Sequence, residues 1–74
     1  MNNTRNEKLL KKFGQNLQRI RKEKNLSLRG LAEIAEVDFS QIHRIEKGEN
    51  NPTLTTILVI SKALEIDPSE LLSF

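Results

Sequence analysis

The chain has 74 residues, a net charge of +2 and no cysteine. A domain this short hides only roughly 60% of the surface its unfolded form exposes, so it is one domain with tight connections. Disulfides are excluded, a metal staple is disfavoured by a lone imidazole at His43, and no run of about 18 apolar residues exists to span a membrane.

Residues 1–7 read as a flexible polar arm, with no apolar core of a signal peptide. Residues 8–74 read as five helices. The first covers about Lys8 to Lys24, where Leu10, Phe13, Leu17 and Ile20 keep the spacing of one buried stripe. Gly14 inside it implies a close helix contact, since glycine there costs about 1 kcal/mol relative to alanine. Asn25 suits a left-handed helix end. Ser27 caps a second helix over Leu28 to Ala35. After Glu36-Val37-Asp38, Asp38 caps a third helix over Phe39 to Lys47, and Gly48 ends it. Asn50-Asn51-Pro52 forms a loop, Thr53 caps a fourth helix to Leu64, and Asp67-Pro68 opens a fifth through Leu72. No stretch alternates as a strand would. The fold class is all-α.

Charge is unevenly spread. Nine of the twelve basic residues lie between Met1 and Arg29, against only Glu7 and Glu23. Such asymmetry points to a polyanionic partner, although a charged helix face is more often simply solvated.

Leu28 to Lys47 carries the most information. Two short helices flank a three-residue turn. Leu31, Ala35, Ile42 and Ile45 pin them to a core, Ala32 permits a close crossing, and Val37 plugs the turn. That crossing leaves the outer face of the third helix standing proud, as docking in a DNA major groove requires.

The segments "FGQNLQRIRKEKNLS", "LRGLAEIAEVDFSQIHRIEKGENNPTL" and "LVISKALEIDPSELL", in this order and spacing, resemble the phage repressor and Cro-like helix-turn-helix regulators, often called XRE-type. The resemblance covers Phe13 to Leu72. It implies a compact five-helix bundle of the lambda-repressor-like DNA-binding type, with a third helix that reads duplex DNA, usually as a symmetric dimer. By position it pairs Arg21 with Glu46 and turns Phe39, Ser40, Gln41, His43 and Arg44 toward base edges. Ser27, Arg29, Lys47, Asn50, Asn51 and Thr53 fall at or beside phosphate-contacting positions. The chemistry fits. Arg44 can donate twice to guanine O6 and N7, and Phe39 offers an apolar face to a thymine methyl, unless its ring belongs to the core. Two positions depart from the family pattern. Glu36 stands where glycine is common, at a cost of roughly 1 kcal/mol if the backbone there is left-handed. Leu28 stands where glutamine often grips a phosphate.

A homodimer is expected through the C-terminal helices. Ile57, Leu58, Val59 and Ile60 span about 300° of a helix, so one must face outward. Val59 is the candidate, because relatives tend to carry a polar residue there, and Leu71, Leu72 and Phe74 extend the surface. The alternative is that Leu71 and Phe74 fold back onto the first helix. Two-fold symmetry would set recognition helices about 34 Å apart on a palindrome. An enzyme is not expected, since no nucleophile–base pair or phosphate-cradling glycine loop is present. Nor is a cofactor, a metal or a small-molecule ligand. The cytoplasm is the expected compartment. The rival readings are an antitoxin-like or adaptor module working through protein partners, and the DNA-binding fragment of a larger regulator. The polar outer residues of the third helix favour DNA.

Overall fold

A computed structural model describes residues 6–74, which fold into α1 (Glu7–Glu23), α2 (Leu28–Ala35), α3 (Phe39–Glu46), α4 (Leu54–Ala63) and α5 (Pro68–Leu71). Helix starts follow local cap chemistry. The side chains of Asn6, Ser27, Asp38, Thr53 and Asp67 each accept from a backbone N–H of the first turn. Asn6 and Glu7 therefore belong to the start of α1 rather than to the expected arm. The remainder of that arm, residues 1–5, lies outside the described residues.

Helix stops follow one rule repeated four times. After α1, α2, α3 and α4 the chain passes through a left-handed residue: Asn25, Glu36, Gly48 and Glu65, with φ of 59°, 57°, 77° and 58°. At each, two backbone bonds close a Schellman motif. After α2, for example, Glu36 N–H donates to Glu33 O and Val37 N–H to Ala32 O. The next residue turns inward after three of the four helices, where Leu26, Val37 and Ile66 pack on the core. Only Gly48 needs to be glycine for space as well as for φ, because a Cβ there would meet Lys11 Cγ at 2.6 Å and its Cα at 2.9 Å.

The helices pack in a closed circuit, α1 on α3, α3 on α2, α2 on α4, α4 on α5 and α5 back on α1. At its centre are Phe13, Leu17, Ile20, Leu31, Ile42, Ile45, Ile60, Leu64 and Leu71. Gly14 sets the distance between α1 and α3, since a Cβ there would overlap the carbonyl oxygens of Ile45 and Glu46. Leu28 packs on this core, which accounts for its departure from the family pattern: the position is used inward.

The C-terminal region corrects part of the expected dimer surface. Leu71 is fully buried in the monomer core, because α5 closes the circuit against α1, and it has nothing left to offer a partner. On α4 the outward residue of the apolar run is Leu58, 44% exposed, while Val59 is half-buried. Leu72 and Phe74 remain about half exposed, at 53% and 51%. The Phe74 ring nonetheless sits edge-on to Phe13, with centroids 6.1 Å apart. Among the described residues no helix is long and apolar enough to cross a membrane.

Candidate nucleic-acid interface

The third helix is held from behind. Arg21 and Glu46 form a buried two-point pair, Nε to Oε2 at 2.6 Å and Nη2 to Oε1 at 3.0 Å. The remaining Arg21 arm donates from Nη1 to the Leu26 carbonyl at 2.8 Å. One guanidinium thus ties α1 and the α1–α2 turn to the end of α3. The planar fork matches the carboxylate edge, a fit that a lysine ammonium cannot reproduce.

With Ile42 and Ile45 buried, the face of α3 opposite the core presents Ser40, His43, Arg44 and Lys47, all exposed. These follow the i, i+3, i+4, i+7 spacing of a single helical stripe. Gln41 stands half-buried at its edge. Asp38 caps the helix by accepting from Ser40 N at 3.2 Å, and it also accepts from the Ser40 hydroxyl at 3.2 Å. With its hydroxyl proton on Asp38, Ser40 offers its lone pairs to a ligand donor. A base amino group suits that, whereas a phosphate does not.

Phe39 is half-buried and packs on the core, as its alternative reading expects, yet one side of it faces the interface. The Arg29 guanidinium lies over the ring, 4.7 Å from its centroid. His43 is the other aromatic neighbour, with centroids 6.2 Å apart. This cluster joins α2 to the leading end of α3. Phe39 and His43 are neighbours at i, i+4 on α3, but the sequence carries no local sign of Arg29, which comes from α2.

The phosphate candidates are less uniform. Ser27 accepts from Gly30 N at 2.9 Å, which leaves its hydroxyl proton for an outside acceptor. The first N–H groups of α2 have no intrahelical partner and add partial positive charge beside it. Lys47 approaches Glu49 at 3.6 Å in an exposed pair, which partly offsets the charge it brings. Thr53 is engaged as the cap of α4 and bonds the Thr56 hydroxyl at 3.0 Å. Asn50 is half-buried. Asn51 is exposed and borders a shallow apolar recess with Leu9, Phe13, Ile57, Leu72 and Phe74.

One structural residue escapes the sequence reading. Asn16 is buried and donates from Nδ2 to the carbonyls of Glu70 (3.0 Å) and Leu71 (2.9 Å), and its Oδ1 accepts from Arg19 Nη2. The clue was a polar residue set among Phe13, Leu17 and Ile20 on a buried stripe. Among the described residues no group of three His, Asp or Glu side chains is placed to hold a metal ion.

Comparison with known proteins agrees with this geometry. The helix-turn-helix family HTH_3 matches residues 17–71. Control protein C.BamHI of Bacillus amyloliquefaciens is 42% identical over 72 residues, covering 96% of this chain and 86% of that protein. Control protein C.SmaI of Serratia marcescens is 36% identical over 61 residues, covering 82% and 73%. Among solved structures, the restriction-modification controller protein C.AhdI from Aeromonas hydrophila superposes with a TM-score of 0.83 at 42% identity, over 84% of this chain and 94% of that one.

Proposed function

Since the chain belongs to the XRE-type helix-turn-helix family HTH_3, we propose that it is a sequence-specific regulator of transcription that inserts α3 into the DNA major groove. It is a DNA-binding protein and not an enzyme. The observation that carries the reading is the exposed polar stripe of α3, braced from behind by the buried Arg21–Glu46 pair. In this reading Arg44, Ser40, Gln41 and His43 meet base edges. Ser27, Lys47, Asn50, Asn51 and Thr53 meet the backbone at the rim. Its work is cytoplasmic, and the restriction-modification setting named for the C.AhdI relative is the setting we propose for this chain too.

The functional unit is a homodimer. Leu54, 69% exposed, and Leu58 stand one turn apart on α4, and Leu72 and Phe74 line an apolar recess with Ile57. Contiguous apolar surface of this kind is what a two-fold partner covers. A dimer sets two recognition helices about 34 Å apart and calls for a palindromic site.

Selection of bound sequences from a random duplex pool at stated salt tests both statements. A palindrome is the expected product, with affinity falling on a log–log salt plot by about 0.9 for each phosphate neutralised. No enrichment at low salt would overturn the DNA reading. Sedimentation equilibrium of wild type and Leu58→Lys checks the dimer, and a monomer-per-site stoichiometry unchanged by the substitution would remove it.

A further inference from the structure

We infer that Arg29, although carried on α2, reads a base edge, and that Phe39 is the positioning residue that holds it there. The inference rests on the duplex-DNA reading above and adds a specificity residue to it.

Arg29 is the second residue of α2 and is exposed. As a phosphate contact it would need only to reach the rim, which a flexible charged side chain does without help. The structure instead lays its guanidinium over Phe39, 4.7 Å from the ring centroid. Phe39 is not mobile support. It packs on the core and opens α3, at the helix end that meets base edges when such a helix enters the groove.

A cation–π contact holds a guanidinium over a ring without consuming its N–H donors. A planar fork held in one orientation loses little freedom when it binds. It matches the paired acceptors O6 and N7 of guanine. Of the other basic groups near α3, Arg21 is spent on Glu46 and Lys47 lies near Glu49, while Arg44 and His43 stand exposed on the α3 stripe with base edges of their own to meet. Among the described residues no carboxylate lies within ion-pair distance of Arg29. The same stack changes the role of Phe39. With one face covered by Arg29, that face is not available to a thymine methyl.

The test is binding by wild type, Arg29→Ala, Arg29→Lys and Phe39→Leu to the selected site and to its single-base-pair variants, across a salt series. If Arg29 reads a base, Arg29→Ala loses discrimination at one base pair per half-site by roughly 5- to 150-fold, the range of a two-point arginine–guanine contact. Arg29→Lys does not restore it. Phe39→Leu, which keeps apolar volume and removes the ring, loses part of the same preference at the same position. Should Phe39→Leu fail to fold, the two Arg29 variants decide alone. Equal weakening on every site, with the salt slope flattened by about 0.9 and rescue by lysine, would reduce Arg29 to a phosphate clamp and overturn the inference. A shift in thermal midpoint with base preference intact would make the stack merely structural and overturn it as well. Absence of duplex binding by wild type is a different result, since it defeats the parent reading before any variant is compared.

Discussion

Removing Arg21 is expected to cost more than removing Glu46, and removing both is expected to cost less than the sum. The side chains are only 7% and 2% exposed. Arg21→Ala strands a carboxylate that has lost both of its arginine donors, and it also removes the Nη1 donor to the Leu26 carbonyl. Glu46→Ala leaves the guanidinium with that carbonyl still bound and a slightly more open path to water. Breaking one side of a buried pair costs about 3–5 kcal/mol. A 74-residue domain has roughly 4–11 kcal/mol to lose, at 0.05–0.15 kcal/mol per residue. Arg21→Ala should therefore consume about a quarter or more of the stability and lower Tm by roughly 10–40 °C, at about 4–8 °C for each kcal/mol. Replacing the pair together, as Arg21→Met with Glu46→Leu, should recover most of the loss, because two charges no longer need desolvating. Urea unfolding of the two alanine variants, their double and the Met/Leu double measures the whole cycle. Near-zero and independent effects of the single variants would show that the pair does not brace α3.

Arg44→Ala should cost about 1–3 kcal/mol on the selected site and relax one base position, whereas Lys47→Ala should weaken all sites and flatten the salt slope by about 1; retained base preference in Arg44→Ala, read by competition binding, would refute the placement of α3. Gly14→Ala gains about 1 kcal/mol of helix propensity but drives a methyl into backbone oxygens that cannot move aside, so a net loss of about 1–3 kcal/mol is expected in urea unfolding. Glu36→Gly should raise Tm by a few degrees, since relief of roughly 1–2 kcal/mol of left-handed strain exceeds the added unfolded-state entropy; a lower Tm would contradict the backbone geometry there. Hydrogen bonds from Ser69, the backbone N–H first, hold the Asp67 carboxyl below its ordinary value. A depressed folded pKa stabilises above the unfolded value of about 3.9 and is lost as pH falls through the folded one, so the stability gap between wild type and Asp67→Asn should narrow below about pH 4; a gap unchanged down to about pH 2 would remove Asp67 from the acid response.

Where the physics is local, the sequence was readable. Ser27, Asp38, Thr53 and Asp67 announce helix starts because each needs only its own first turn. Asn25 and Gly48 announce helix ends because their backbone preferences are intrinsic. Glu36 and Glu65 carry no such preference, and their left-handed turns are imposed by Val37 and Ile66 reaching the core. The Arg21–Glu46 pair came through resemblance; no spacing rule links positions on two separate helices. Arg29 over Phe39 depends wholly on how α2 and α3 cross, which no periodicity encodes. At the C-terminus, Leu71 and Leu72 are neighbours of the same type in a helix one turn long. With so short a stripe, nothing in the letters says which leucine turns inward.

The Asn16 amide has a consequence for the order in which the molecule assembles. Its bond to the Leu71 carbonyl joins residues 55 apart in the chain, so the circuit closes only after a long loop has been brought together. The α2–α3 contact, by comparison, closes over a three-residue turn. Entropy of loop closure favours the short-range pair first, and this order puts docking of α5 late, on the native side of the barrier. Interactions absent from a transition state govern how fast the native state opens rather than how fast it forms. In that order of events Asn16 acts as a latch: Asn16→Ala is expected to speed unfolding more than it slows folding, and with it the loss of the surface that bears Leu72 and Phe74.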